Sequence, residues 1–245
     1  MSLNHFNRAA AAYAESRPDY PQLVVKALED HLPNEGRRAP VLDVGCGPGN
    51  FTRALEQRGH TAIGLDPSSE MLSAATALPG VHAFWVQARG EQLPIRNEAL
   101  SCVICSQSLH WIDERSLLPE ARRCLKPTGI FAVAWQAPVK ECDLVEVFIQ
   151  DVLSETIGLQ PDQAGRRRDM DQVVDCLTDD WQPIMTFDHR YSVQWSPTQI
   201  SQYLKSRIPA ASDRLITHTA TLAQASFGDS LTVEFQSHLR CWVPV

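Results

Sequence analysis

The sequence predicts an α/β fold with a doubly wound, mostly parallel, seven-stranded sheet. From Val41 onward, short apolar runs alternate with helical segments, and strands that alternate with helices imply right-handed crossovers and parallel pairing. The apolar run Val41–Val44 is also followed at once by glycines at every second position, in GCGPG. Glycines placed there indicate a sharp backbone turn that approaches a ligand closely.

The first forty residues predict two helices. Phe6–Glu15 is rich in alanine, a strong helix former, and it stops before Pro18 and Pro21, which favour extended or turn geometry. Gln22–Leu32 then resumes the helical spacing of apolar residues. We therefore expect a helical N-terminal unit, residues 1–40, ahead of the sheet.

Strands and helices then alternate along the rest of the chain. The predicted strands are Val41–Val44, Ala62–Leu65, Val81–Val86, Ser101–Cys105, Ile130–Trp135, Met185–Val193 and Leu231–Val243. The further predicted helices are Asn50–Arg58, Ser69–Ala77, Glu114–Leu125, Asp143–Thr156, Asp171–Leu177, Pro197–Ser206 and Ser212–Gln224. We therefore expect helical insertions after the fifth strand. Ligands of such sheets bind beyond the carboxyl ends of the strands.

Composition indicates an ordinary globular protein. Apolar residues make up 44% and charged residues 21% of the 245 residues, and the net charge of −7 disfavours a polyanion such as nucleic acid. No run approaches the ~18 apolar residues of a membrane helix, and the N-terminus has no apolar signal core. We expect a cytoplasmic monomer or homodimer that binds neither nucleic acid nor membrane.

No metal site is predicted. Cys102 and Cys105 form a CxxC, but they lie within a predicted strand. Alternation along a strand points them to opposite faces of the sheet, so they are not expected to share a metal ion.

Two aspartates near the glycines favour a cationic nucleoside cofactor. Asp66 ends the strand after the glycine loop, where a carboxylate can accept hydrogen bonds from both hydroxyls of a ribose. Asp43 stands two residues before the first glycine, Gly45. A carboxylate there repels a pyrophosphate but attracts an ammonium or sulfonium group. A dinucleotide such as NAD is therefore the less favoured of the two alternatives.

Several stretches carry a resemblance to a known family. They are DVGCGPG, GLDPSSEML, GEQLPI, SLHWID and EARRCLKPTGIFAVAW. Together they resemble the class I S-adenosylmethionine-dependent methyltransferases, which have a Rossmann-like fold, and most of all the small-molecule group that includes trans-aconitate methyltransferases. FNRAAAAYAESRPDYP is similar to the start of that group. The resemblance is specific from Val41 to Trp135, looser over Phe6–Pro21, and faint beyond Ala137.

The resemblance implies S-adenosylmethionine as cofactor and S-adenosylhomocysteine as product. It implies a helical lid at residues 1–40, a cofactor-binding α/β core at 41–138, and acceptor-side helices with the last two strands at 139–245. The residues it places around the cofactor are Tyr13, Asp43, Gly45, Cys46, Gly47, Gly49, Asp66, Pro67, Met71, Ala88, Arg89, Gly90, Glu91, Ser106 and Gln107.

Within this set the resemblance implies specific roles. Asp43 would accept from the methionine ammonium, directly or through water, Asp66 would hold the ribose, and Met71 or Leu72 would pack against adenine. Ser106 and Gln107 would lie near the methionine carboxylate and the transferred methyl group. At position 89 many relatives have an aspartate that reads the adenine amino group, but this chain has arginine. Backbone groups or the nearby glutamate, two residues on, must then read adenine.

On the acceptor side, the resemblance points to His110, Arg17 and Tyr20. His110, which follows the fourth strand, is a candidate base, with a packing role as the alternative. Arg17 and Tyr20 lie in the N-terminal segment, where an arginine can bind an acceptor carboxylate through two hydrogen bonds. We expect methyl transfer to a small molecule, with a carboxylate or another oxygen nucleophile as the favoured acceptor. An acyl group on a carrier protein and a cofactor-binding regulator without turnover are the alternatives.

Overall fold

The structure, a computed structural model, describes residues 3–33, 39–77, 82–139, 144–157, 177, 180–208 and 210–245. Its strands are β1 (Val41–Val44), β2 (Ala62–Asp66), β3 (Phe84–Gln87), β4 (Leu100–Ser106), β5 (Leu125–Pro138), β6 (Trp181–Trp195) and β7 (Leu231–Pro244). They form one seven-stranded sheet with the order β3-β2-β1-β4-β5-β7-β6. β1 to β5 pair in parallel, and β7 runs antiparallel to both β5 and β6. The predicted doubly wound, mostly parallel sheet is confirmed.

The helices described on either side of this sheet agree with the sequence pattern. They are α1 (Leu3–Ser16), α2 (Gln22–Glu29), α3 (Asn50–Gln57), α4 (Ser69–Thr76), α5 (Glu114–Cys124), α6 (Leu144–Ile157), α7 (Pro197–Arg207) and α8 (Asp213–Phe227). Ser68 caps α4 by accepting from the N–H of Met71 at 3.1 Å, and Ser196 with Gln199 forms a capping box on α7. The helix predicted at 171–177 lies outside the described residues except for Leu177.

The antiparallel strands are longer than their apolar runs. β6 begins at Trp181, ahead of the predicted start at Met185. The register with β7 shifts between Pro183 and Met185. A bulge accommodates the missing N–H of proline and lets pairing continue past it. β5 likewise extends to Pro138, because β7 pairs with it up to that residue.

Buried side chains form a core on each face of the sheet. One contains Leu42, Val103 and Cys105, packed under α5, and the other contains Ile104 and Cys102, packed under α2 and α3. The two cysteines of the CxxC therefore lie on opposite faces, as predicted. A third cluster joins α6, α7 and α8 to β6 and β7. Among the described residues, the helices are all too short or too polar to cross a membrane.

Candidate functional site

A cavity of about 340 Å³ opens at the carboxyl ends of β1, β2 and β4. Its volume lies within the range of small-molecule sites, and its position is the one expected for ligands of doubly wound sheets. The residues that line it are Tyr13, Gly45, Cys46, Gly47, Asp66, Pro67, Ser68, Met71, Arg89, Gly90, Glu91, Ser106, Gln107, Ser108, Trp111 and Ile112.

The loop between β1 and α3 needs its glycines for two reasons. Gly45, Gly47 and Gly49 have φ angles of 70°, 55° and 81°, in the left-handed region that glycine adopts without steric cost. A Cβ on Gly45 would lie 2.5 Å from the Cβ of Ser108, so the turn after β4 packs directly against this backbone. A Cβ on Gly47 would meet nothing closer than Met71 Sδ, at 3.9 Å. The space beside Gly47 is therefore left open to the cavity.

Asp66 ends β2 at the cavity wall, and backbone groups hold its carboxylate. Oδ2 accepts from the N–H of Gly47 at 2.9 Å, and Oδ1 accepts from the N–H of Ser68 at 2.8 Å. Burial, to 8% exposure, raises the pKa of Asp66 above its ordinary value of 3.8 in spite of the two donors. Each carboxylate oxygen can accept about two hydrogen bonds, so both oxygens can take a further donor from a ligand.

Asp43, on β1, lies fully buried behind the cavity wall. Ser106 Oγ donates to its Oδ1 and Thr52 Oγ1 donates to its Oδ2, each at 2.8 Å. Burial raises the pKa of Asp43 from 3.8 to about 6, although the two hydroxyl donors act against it. Asp43 is not among the residues that line the cavity, whereas Ser106 is. Its charge therefore reaches a ligand across the Ser106 hydroxyl.

The end of β4 is tied to β5 by Gln107. This residue has a φ of 57°, a conformation uncommon outside glycine that persists only where the surroundings hold it. Its N–H donates to the carbonyl of Ala134 at 2.8 Å, and its Nε2 donates to the carbonyl of Gln136. Gln107 is thus held rigidly where it lines the cavity.

Arg89 and Glu91 form an ion pair at the mouth of the cavity. Arg89 Nε lies 3.3 Å from Glu91 Oε2. Partial burial acts to raise the pKa of Glu91, but hydrogen bonds from its own backbone N–H and from Arg89 hold it below 4.5. Glu91 is therefore an ionised acceptor at neutral pH, in the region that the resemblance assigns to adenine.

A second, narrower cavity of about 30 Å³ lies beside the first. It is formed by the N-terminal segment, the glycine loop and the ends of β4, β5 and β7. Its lining residues are Tyr13, Arg17, Pro18, Tyr20, Cys46, Pro48, Asn50, Phe51, Ser106, Gln107, Gln136 and Phe235. Tyr13, Cys46, Ser106 and Gln107 line both cavities. The two cavities therefore meet at the end of β4.

Arg17 supplies the positive charge of the narrow cavity. Its guanidinium carbon lies 5.1 Å from the ring centroid of Tyr13 and 4.5 Å from that of Tyr203 on α7, within the range of cation–π attraction. Its buried Nε has no hydrogen-bond partner among the described residues. This Nε–H is therefore available to an anionic ligand. Tyr20 is buried next to Phe51, with ring centroids 4.9 Å apart, and burial raises its pKa well above 10.

The structure brings most of the predicted cofactor residues together around the larger cavity. Asp43, Gly49 and Ala88 are the exceptions, since they do not line it. His110 lines neither cavity, and its ring centroid lies 4.6 Å from that of Trp111, which does line the larger one. The sequence interpretation did not assign Ser68, Ser108 or Ile112. Their positions just after β2 and β4, at the carboxyl edge of the sheet, are the signal that could have identified them.

Comparisons with known proteins point to the methyltransferases. Residues 42–133 match a family model described as a methyltransferase domain. An uncharacterised methyltransferase of Mycobacterium tuberculosis is 34% identical over 197 residues, which cover 80% of this chain and 71% of the relative. The trans-aconitate 2-methyltransferase of an Azoarcus species is 40% identical over 103 residues, 39% of this chain and 38% of that protein.

The fold comparison extends over nearly the whole chain. A solved structure from Anaeromyxobacter dehalogenans, described as that of a candidate type II methyltransferase, superposes with a TM-score of 0.66 at 20% identity. The match covers 92% of this chain and 97% of that one, and at this identity it supports the fold alone. Together with the sequence relatives and the family model, it shows that the chain belongs to the class I S-adenosylmethionine-dependent methyltransferases.

Proposed function

We propose that the protein transfers the methyl group of S-adenosylmethionine to a small carboxylic acid. The observation that carries the proposal is the junction of the two cavities. The larger one has the volume and the carboxylates that suit a cationic nucleoside, and the narrower one contains Arg17. Tyr13, Cys46, Ser106 and Gln107 belong to both. The narrow cavity, of about 30 Å³, has room for little more than one small polar group, so an acid acceptor would direct a carboxylate towards Arg17 and meet the methyl donor at this junction.

The residues around the larger cavity fit the cofactor. The glycine loop leaves open space beside Gly47, and the Asp66 carboxylate keeps acceptor capacity for the ribose hydroxyls. Met71 offers an apolar surface for adenine, with Glu91 at the cavity mouth as an acceptor. Asp43 and Asp66 together make this end of the sheet favourable to the ammonium and sulfonium charges.

The chemistry requires alignment more than acid–base catalysis. When bound, the cofactor supplies an electrophilic methyl group attached to sulfur. An acceptor carboxylate oxygen forms a bond to that carbon while the sulfur–carbon bond breaks and its electron pair remains on sulfur. The acceptor loses no proton, so no base is needed. Holding the reactants in line contributes about 7–11 kcal/mol in well-oriented cases, and Ser106, Gln107 and Arg17 are placed to do this.

The charge and position of Arg17 support a carboxylic acid as the methyl acceptor. A guanidinium presents parallel N–H groups that match a carboxylate, and Tyr13 and Tyr203 hold its plane. The relative named trans-aconitate 2-methyltransferase makes small polycarboxylates the first acceptors to test. A phenol or alcohol acceptor would need a base, and His110 would be the candidate for that reaction.

The test is transfer of isotope-labelled methyl from S-adenosylmethionine to a panel of small acids that includes trans-aconitate, with phenols and an acyl carrier protein as comparisons. We expect a methyl ester that alkali hydrolyses. Arg17→Gln should raise the acceptor KM about tenfold or more, because a charged hydrogen-bonding partner is lost. Arg89→Gln, on the cofactor side, is the matched control and should leave that KM nearly unchanged.

Other outcomes would replace the proposal. Transfer only to phenols would favour the base-dependent reaction, and transfer only to the carrier-bound acyl group would favour that acceptor. Cofactor binding without transfer to any compound would favour a regulator.

A further inference from the structure

The side chain of Gln136 joins three strands to the N-terminal segment. Gln136 lies near the end of β5, is 6% exposed and lines the narrow cavity. Its Oε1 accepts from the hydroxyl of Tyr191 on β6 at 2.6 Å and from that of Ser237 on β7 at 3.1 Å. Its Nε2 donates to the backbone carbonyl of Pro18, between α1 and α2, at 2.8 Å.

The amide of Gln136 has one favourable orientation. The carbonyl of Pro18 can only accept a hydrogen bond, so it requires the NH₂ end of the amide. The hydroxyls of Tyr191 and Ser237 can donate to the oxygen end. A rotated amide would place two carbonyl oxygens against each other in a buried site, which is unfavourable. The pairing therefore specifies both the rotamer of Gln136 and the position of Pro18.

Gln136 also contacts both sides of the junction between the cavities. Its backbone carbonyl accepts from Nε2 of Gln107, which lines both cavities in a left-handed conformation. Its side chain holds the carbonyl of Pro18, the residue that follows Arg17. Gln136 thus links the position of the Arg17 guanidinium to that of Gln107 at the end of β4.

We propose that Gln136 is a positioning residue for the methyl acceptor. It fixes the position of the N-terminal segment at Pro18 and, through that segment, the location of Arg17 relative to Gln107. The functional consequence rests on the proposed role of Arg17 in binding the acceptor. The structural consequence, an amide that contributes to holding the segment against the strand ends, can be measured without any acceptor.

Hydrogen–deuterium exchange of the 245-residue chain tests the structural consequence. Gln136→Met keeps the side-chain volume but removes the donor to Pro18. We expect backbone amides in residues 13–20 to exchange about tenfold faster, as loss of a hydrogen bond predicts, while amides of β1 are unchanged. Ser237→Ala, which removes one donor and keeps the bond to Pro18, is the matched control and should change exchange by less than about twofold. If Gln136→Met does not fold, Gln136→Glu gives the same readout when measured at a pH where its side chain is ionised, because the carboxylate accepts from both hydroxyls but cannot donate to Pro18.

Kinetics test the functional consequence with any acid that the wild type methylates. We expect Gln136→Met to raise the acceptor KM about tenfold and the S-adenosylmethionine KM by less than about twofold, since the cofactor residues on β1 and β2 are untouched. Unchanged exchange at residues 13–20 in a folded variant would overturn the inference, as would an unchanged acceptor KM. Gln136→Met could exchange faster while the wild type methylates no acid. That result would support the attachment of the segment to Gln136, but it would overturn the proposed function and the acceptor role of Gln136.

Discussion

Asp43 is held in a state that costs stability. A fully buried carboxylate with a pKa of about 6 is ionised at neutral pH against the preference of its surroundings. The hydroxyls of Ser106 and Thr52 offset only part of this cost. A charge retained under such conditions is expected where function needs it, and a cationic cofactor across Ser106 would provide the partner.

Replacing Asp43 with asparagine should reveal this cost. The folded-state pKa of Asp43 is raised from 3.8 to about 6, so the folded state binds a proton at this carboxyl more tightly than the unfolded state does. The stabilisation that this proton gives the wild type is complete below pH 3.8 and is lost as the pH rises through 6. The shift of about two units corresponds to about 3 kcal/mol. Between pH 4 and pH 8, the free energy of unfolding of Asp43→Asn, relative to wild type, should therefore rise by about that amount. Chemical denaturation at both pH values measures it, and a difference independent of pH would contradict the assignment.

Single residues also show what the sequence could predict. DVGCGPG and Asp66 were identifiable because their chemistry is encoded within one β-α-β stretch. The stacking of Tyr203 on Arg17 and the bond from Gln136 to Pro18 were not, because they join segments that only the folded sheet brings together. The prediction that Asp43 contacts the cofactor stays a prediction, and the structure places Ser106 between Asp43 and the larger cavity.

At the scale of elements, the β1–α3 loop and the turn after β4 act as one unit. Ser108 packs against Gly45 and its hydroxyl donates to the carbonyl of Val44. Gly45 and Cys46 donate to the carbonyl of Leu65 on β2 at 2.7 and 3.0 Å. The loop is therefore fixed from both neighbouring strands before a ligand binds, and preorganisation of this kind reduces the entropy lost on binding.

Alanine substitutions at two glycines separate backbone strain from this packing. Gly45 and Gly59 have similar left-handed φ angles, 70° and 83°, but a Cβ on Gly59 would meet nothing within 4 Å. Gly59→Ala should cost only the strain of about 1–2 kcal/mol. Gly45→Ala should cost at least about 1 kcal/mol more, because its Cβ would overlap Ser108. Equal losses in the free energy of unfolding would show that the two elements do not pack this closely.

For the molecule as a whole, different parts of the fold form the two cavities. The parallel half of the sheet, β1 to β4, supplies the larger cavity, and its alternating pattern made the fold class predictable. The narrow cavity takes residues from α1, the glycine loop and the ends of β4, β5 and β7. Its composition depends on how distant segments pack, which a single sequence does not reveal. The resemblance already favoured a carboxylate acceptor and Arg17, and the structure adds the residues that surround Arg17.

Calorimetric titration with S-adenosylhomocysteine tests most directly whether the larger cavity takes this cofactor. The wild type should bind one equivalent, and Asp66→Ala should weaken binding about tenfold or more through loss of a charged acceptor. Asp188→Ala, which removes a carboxylate on β6 outside both cavities, should bind as the wild type does. Unchanged affinity in Asp66→Ala, or binding of NAD in place of S-adenosylhomocysteine, would contradict the account.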